Sequence, residues 1–310
     1  MNEFALIQQL TRSAPANSTV VLGPGDDCAV LDLGLPDRWV LFKTDAVVEG
    51  VHFLRATPPP AVGHKALGRC LSDMAAMGGA PSSAVITVAL PPDLPESWAL
   101  GLYEGIRRLA ERFGLAIVGG ETSSSPGGIF VSVAMLGTVA PGRCARRTGS
   151  QPGDSLWVTG ELGGSIEGHH LDFEPRVGEA LWLTEHFMPR AMIDLSDGLA
   201  GDLRHLVGAE GRGAELLAEA IPVSRAARRR ARDTAGAPAP LTAALTDGED
   251  FELLFAQPPR RAVALIDAWK KRFPTTRLSC IGRITAEPGL RLRRRGKIEP
   301  LVLHGYEHFA

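Results

Sequence analysis

Acidic side chains recur where this chain turns. "GPGDDCAVL" places Asp26 and Asp27 on a Gly-Pro-Gly turn between two apolar runs. "KTDAVVEGVHF" carries Asp45 just after an apolar run. "VGGETSSS" holds Glu121, and "AMIDLSDGLAGDL" holds Asp194 and Asp197. Asp73 sits among apolar neighbours inside "GHKALGRCLSDMAAMGGAP". Each acid alone has an ordinary structural role open to it: turns favour Asp, and Asp197 suits the N-cap of a following helix. Together they pose a charge problem. Two carboxylates about 4 Å apart repel by roughly 4 kcal/mol at an effective dielectric near 20. Four or five in one site need protons or cations, and a reference pKa near 4 argues against so many protons at neutral pH. Oxygen donors without clustered Cys or His point to Mg²⁺ rather than zinc or iron, and Mg²⁺ suits phosphoryl transfer.

A phosphate would also need a cradle. No G-x-x-x-x-G-K-[ST] is present, so a P-loop enzyme is excluded. The glycines of "VGGETSSSPGG" and "GPGDD", and the helix start at Ser196-Asp197-Gly198, offer backbone N–H groups. Arg146 and Arg147 offer guanidinium forks, or simply belong to a solvated linker.

The elements that must position these groups alternate in type. An apolar stripe of Ala66, Leu67, Cys70, Leu71, Met74 and Ala75 predicts a helix ended by Gly78-Gly79. "PESWALGLYEGIRRLAERFG" predicts a second helix, with Glu96 early and Arg107, Arg108 and Arg112 late. Between and after them, "SSAVITVAL" and "IFVSVAMLGTVA" read as strands. Val40 to Phe42 reads as a strand entering a polar loop, and "LAIVGGETSSS" as a strand entering a glycine-rich loop. Pro, Gly and Arg crowd residues 141–154, which predicts a boundary between a first domain of residues 1–142 and a second of 150–310. In the second, "SLWVTG", "RAMIDLS", "AELLAEAIPVS", "FELLFAQ", "RLSCIGRIT" and "GLRLRRRGK" read as strands. "DGLAGDLRHLVGAEG", "RAARRRARDTAG" and "RRAVALIDAWKKRF" read as helices, and residues 161–190 allow one more. Phe4, Ile7 and Leu10 suit one face of a short opening helix. The class is α/β.

The chain has 310 residues, 45% of them hydrophobic, and a formal net charge of −2. That size fits two domains, and the charge balance gives no reason to expect nucleic acid or an anionic membrane as partner. The basic runs "RAARRRARD" and "RLRRRGK" lack interleaved aromatics and read as solvated faces. No apolar run reaches membrane length, and "MNEFALIQQL" lacks a basic leader region. The dispersed Cys28, Cys70, Cys144 and Cys280 read as reduced thiols of a cytoplasmic protein.

Taken in order, "GPGDDCAVL", "KTDAVVEGVHF", "GHKALGRCLSDMAAMGGAP", "VGGETSSS", "RRTGSQPGD", "LWVTGELGGS", "AMIDLSDGLAGDL", "LTDGEDFELLF" and "GYEHF" resemble the thiamine-monophosphate kinase family. Its superfamily includes aminoimidazole ribonucleotide synthetase and selenophosphate synthetase. The resemblance spans nearly the whole chain. It implies a two-domain aminoimidazole ribonucleotide synthetase-like fold with mixed sheets, and a homodimer whose N-terminal sheets share a barrel. It implies transfer of phosphate from ATP to thiamine monophosphate with several Mg²⁺ ions. By position, Asp27, Thr44, Asp45, Asp73, Glu121, Asp194 and Asp197 would hold metal. Gly120, Glu121, Arg147 and Ser196 would contact ATP, and His52, Glu249 and Tyr306 the thiamine substrate. The chain departs from the family pattern at Glu121, where Asp is usual, and at Lys43, where a small polar residue is usual and an ammonium would repel a metal or partly replace it. It also has "DGED" for "GGED", and its 161–190 stretch is shorter. Another ATP-dependent synthetase of the superfamily, or a degenerate nucleotide-binding paralogue, are the competing functions.

Overall fold

A computed structural model describes residues 3–208, 210–303, 305 and 306. After the opening helix α1 (Glu3–Thr11), strands β1 (Val20–Leu22), β2 (Ala29–Leu31) and β3 (Trp39–Val48) lead into helix α2 (Pro59–Ala76). Strand β4 (Ala80–Leu90), helix α3 (Glu96–Arg112) and strands β5 (Ala116–Ser124) and β6 (Phe130–Val139) complete the first half. The strands form one six-stranded sheet in the order β1-β2-β3-β6-β4-β5, antiparallel except for the β4–β5 pair. It is an open sheet within one chain.

The second half contains β7 (Ser155–Thr159), the single-turn helix α4 (His169–Asp172), α5 (Val177–His186), β8 (Ala191–Asp194), α6 (Leu199–Gly208) and β9 (Gly213–Leu217). It continues with α7 (Arg225–Asp233), α8 (Pro240–Thr246), β10 (Leu253–Gln257), α9 (Ala262–Arg272), β11 (Leu278–Thr285), β12 (Gly289–Arg294) and β13 (Lys297–Pro300). Its seven strands are ordered β13-β12-β9-β11-β7-β10-β8, so Asp194 ends an edge strand.

Several expectations change. The polar loop expected after Phe42 is the continuation of β3, because every residue from Trp39 to Val48 pairs with β6. The expected loop "GGETSS" is likewise strand, paired with β4. The strand expected over 214–224 stops at Leu217 and passes into a 3-10 turn. Residues 161–190 hold α4 as well as α5, and α8 was not foreseen. The opening helix exists, with Ile7 and Leu10 exposed on it.

Helix α2 is the pivot. It packs on β3, β4 and β6 of the first sheet and on β8 of the second. Being enclosed on both sides, it is apolar or small at most positions, and Val62, Leu67, Leu71 and Met74 are fully buried. Glycine permits the tightest approach: a Cβ on Gly63 would lie 2.0 Å from the Leu102 carbonyl oxygen, and one on Gly105 1.9 Å from that of Pro60. One core runs from Val62 and Met74 to Trp157, Met192, Phe255 and Trp269, so both halves share it.

Candidate active site

The C-terminal part of α2 meets the end of β8, and acids from three elements converge there. Asp27 from the glycine turn, Asp73 from α2 and Asp194 from β8 are all buried and each offers a carboxylate oxygen within 4.8 Å of the others. Among the described residues this is the one such group of three. Gly25 makes the approach possible by adopting φ +127°, a conformation that side chains resist. The Oδ2 atom of Asp27 is buried and has no hydrogen-bond partner among the described residues. An orphaned carboxylate oxygen beside two further carboxylates is a donor set for a hard cation, so the residues fit Mg²⁺.

Each acid is also held from a second direction. The Arg147 guanidinium donates to Asp27 Oδ1 through Nη2 at 2.5 Å and Nε at 3.1 Å, and its backbone N–H donates to Asp26. Lys43 Nζ lies 3.1 Å from Asp73 Oδ2. Ser72 Oγ donates to Asp194 Oδ2 at 2.6 Å. Asp45 accepts from Arg69 Nε at 2.9 Å and Nη2 at 3.2 Å, with the backbone N–H of Ala46 on the same carboxylate.

The electrostatics follow from burial. Burial pushes Asp194 up to about 6, the Asp27 charge adds to the effect, and the Ser72 hydroxyl opposes it. Burial and then the charge of Asp27 push Asp26 up to about 6. Asp73 is held well above the usual carboxylate range by burial, although Lys43 pulls the other way. At Asp45 burial acts in the same sense, but Arg69 and Lys43 outweigh it and the carboxyl is held low.

A cleft of about 230 Å³ opens beside the trio, lined by His52, Arg69, Ser196, Asp197, Glu249 and Tyr306 among others. Ser196 and Asp197 follow Asp194 after a single leucine, Leu195, so the end of β8 joins acid cluster to cleft. Glu249 has φ +53°, an unusual conformation for a residue with a side chain. Its backbone N–H donates to the Ser196 carbonyl at 2.7 Å, and its carboxylate lies 2.6 Å from the fully buried Lys65 ammonium. Lys65 also donates to the His52 carbonyl at 2.6 Å, tying two walls of the cleft together. Tyr306 donates its backbone N–H to the Asp197 carbonyl.

The structure thus brings Asp27, Asp73 and Asp194 together, and gathers Ser196, Asp197, His52, Glu249 and Tyr306 around the adjoining cleft. It separates others. Along β3, Leu41, Lys43, Asp45 and Val47 face α2, whereas Thr44 alternates to the opposite face and lies 3.3 Å from Ser132 Oγ. Gly120 and Glu121 stand exposed on the edge strand β5, outside the trio. Of the expected tail motif, residues 307–309 lie outside the described residues.

The sequence reading overlooked Lys65, Arg69, Ser72 and Asp202. The first three lie on α2 at helical spacing with Asp73, so the signal was a polar stripe opposite the apolar one. Asp202 is buried and accepts from the Asp197 backbone N–H at 3.1 Å. The aspartate of "DGED" also has a local reason: Asp247 accepts from Arg230 at 2.5 Å and from the Gly164 backbone at 2.7 Å.

With two mixed sheets around a shared central helix the chain has an AIR synthase-like fold, and the sequence profile of the "AIR synthase related protein, N-terminal domain" matches residues 25–139. The thiamine-monophosphate kinase of Rhodopirellula baltica is 38% identical, covering 98% of this chain and 96% of that protein. That of Salmonella typhimurium is 34% identical over 99% and 98%. The chain belongs to the thiamine-monophosphate kinase family. The solved structure of AaThiL complexed with AMPPCP and TMP is 31% identical, with a TM-score of 0.80 over 99% of this chain and 97% of that one. The hydrogenase maturation protein HypE of Escherichia coli, at 21% identity and a TM-score of 0.71, shares the fold.

Proposed function

We propose that this chain transfers the γ-phosphoryl group of ATP to thiamine monophosphate in line, giving thiamine diphosphate and ADP, with several Mg²⁺ ions. The observation that carries this reading is the buried trio of Asp27, Asp73 and Asp194, with its orphaned oxygen, joined through the end of β8 to the cleft of His52, Glu249 and Tyr306. The bond from the γ-phosphorus to the bridging oxygen breaks, and one to an oxygen of the acceptor phosphate forms. That acceptor is largely ionised at neutral pH, its second pKa being about 6, so no side chain is required as general base. The difficulty is repulsion between two polyanions, which Mg²⁺ relieves when bound.

Asp27, Asp73 and Asp194 would hold the ions, with Asp45, Asp197, Glu121 and the backbone at Thr44 as further candidates. Arg147, anchored by Asp27, is available to nucleotide phosphate alongside Ser196, Gly120 and Glu121. The thiazolium ring is cationic. Glu249, fixed by Lys65, would face it as counter-charge, with Tyr306 and His52 as walls.

We read residues 1–142 and 150–310 as the two domains, and the active form as a cytoplasmic homodimer. Phe42, Val85, Val118, Phe130 and Leu136 expose apolar surface on the strands of the first sheet, the kind of face a second copy would cover in a shared barrel. The decisive assay supplies ATP, thiamine monophosphate and Mg²⁺ and detects thiamine diphosphate. No product across a range of Mg²⁺ and Mn²⁺ concentrations sinks the proposal. A panel of other superfamily acceptors separates the kinase from a synthetase, and sedimentation reads the dimer.

A further inference from the structure

We propose that Lys43 is a resident cation of the acid cluster, its ammonium holding a place that would otherwise draw in a divalent ion. The inference rests on the reading of Asp27, Asp73 and Asp194 as Mg²⁺ ligands. Lys43 extends from β3 on the face that packs against α2, the same face as Asp45. Its Nζ lies 3.1 Å from Asp73 Oδ2, and its side chain is mostly buried at 24% exposure. Its charge also acts on Asp45, Asp27 and Asp194, so one ammonium stands within electrostatic reach of all four acids.

The other bases nearby are committed elsewhere. Arg147 forks onto Asp27, Arg69 onto Asp45, and Lys65 onto Glu249. Among the described residues Lys43 is the cation that pairs directly with Asp73, while the Arg69 charge acts on it from farther off. A protonated amine has no lone pair to give a metal, so it cannot share an ion's coordination sphere as a ligand. A Mg²⁺ ion needs oxygen at about 2.0–2.1 Å in near-octahedral order, and an ammonium already against Asp73 Oδ2 occupies part of that volume. Removing Lys43 strips Asp73 of its ion pair and leaves the cluster one charge more negative. Both changes favour an extra divalent ion. Lys43 thereby sets how many ions the site takes.

The test counts ions. Wild type, Lys43→Ser, Lys43→Gln and Lys43→Arg are titrated with Mn²⁺ at saturating AMPPCP, free Mn²⁺ being read by electron paramagnetic resonance. In parallel, thermal unfolding is followed in EDTA and in Mg²⁺. The Ser and Gln variants are expected to bind about one more ion per chain than wild type. They should melt lower in EDTA and recover in Mg²⁺, while Arg keeps the wild-type count. Equal counts in all four proteins, with wild type binding ions beyond those carried by the nucleotide, overturn the role of Lys43 alone. No ion beyond those in any of the four proteins overturns the Mg²⁺ reading as well. Gln guards against a Ser variant that fails to fold, and a variant that folds only in Mg²⁺ supports the proposal.

Discussion

Ser72 Oγ and Asp194 Oδ2 are 2.6 Å apart although 122 positions separate them in sequence. This hydrogen bond joins the helix that covers the first sheet to the edge strand of the second, and it is made to an acid of the trio. It also favours the ionised form of Asp194, the form a cation requires. A hydrogen bond to a charged group is worth about 1.5–3 kcal/mol. Ser72→Ala is therefore expected to weaken Mg²⁺ binding by roughly 10- to 100-fold at neutral pH, converted from that energy. Titration of turnover against Mg²⁺ reads the effect as a raised requirement for metal.

Asp73→Asn has two consequences that must be told apart. It removes one carboxylate of the trio, and it leaves the Lys43 ammonium without its ion pair. The first is expected to abolish turnover; the second leaves a mostly buried ammonium unpaired, a cost partly offset by the loss of a carboxylate that burial holds well above its usual range. The double variant Lys43→Met with Asp73→Asn should recover much of the melting temperature and none of the activity. If the double variant melts no higher than the single, the pair is not what stabilises this corner.

The legible and illegible parts of this site differ in kind. Ala66, Leu67, Cys70 and Leu71 betray α2 by their spacing, and the glycines after it mark its end. The alternation of β3 was not read beyond Phe42: Leu41, Lys43, Asp45 and Val47 share one face, which puts the Thr44 hydroxyl on the other. What hid the strand was composition. "KTDA" is polar and "GGETSS" glycine-rich and polar, so local propensity reads both as loop although each pairs along its length. The meeting of Ser72 with Asp194, or of Lys65 with Glu249, depends on how α2 lies between two sheets, and no local pattern carries that. The resemblance to a family located the acids without showing which of them touch.

Helix α2 can hold the site only if α3 lies close behind it. A methyl group on Gly105 would stand 1.9 Å from the Pro60 carbonyl oxygen, and one on Gly63 2.0 Å from that of Leu102. Backbone cannot yield as a side-chain tip can. Gly105→Ala is expected to destabilise by about 1–3 kcal/mol or more, the usual cost of overpacking. Because α2 carries Lys65, Arg69, Ser72 and Asp73, displacement should also lower turnover. Chemical denaturation and activity measured together check this; an unchanged midpoint refutes the packing account.

The last prediction concerns protons. Asp194 is pushed up to about 6 in the folded chain, chiefly by burial, against 3.8 in the unfolded one. Between those values the folded state holds a proton that the unfolded state has released. Stability from this group is therefore present below pH 4 and is lost as pH rises through about 6. The neutral isostere Asp194→Asn escapes that loss, and its amide oxygen can still accept from Ser72. In EDTA its melting temperature should climb relative to wild type as pH goes from 4.5 to 7, reaching a constant advantage above that. In Mg²⁺ the order at pH 7 reverses, since wild type gains an ion and the variant does not. Parallel melting curves for the two proteins at every pH in EDTA would show that Asp194 is not strained by its burial, and the electrostatic basis for cation binding here would fall with it.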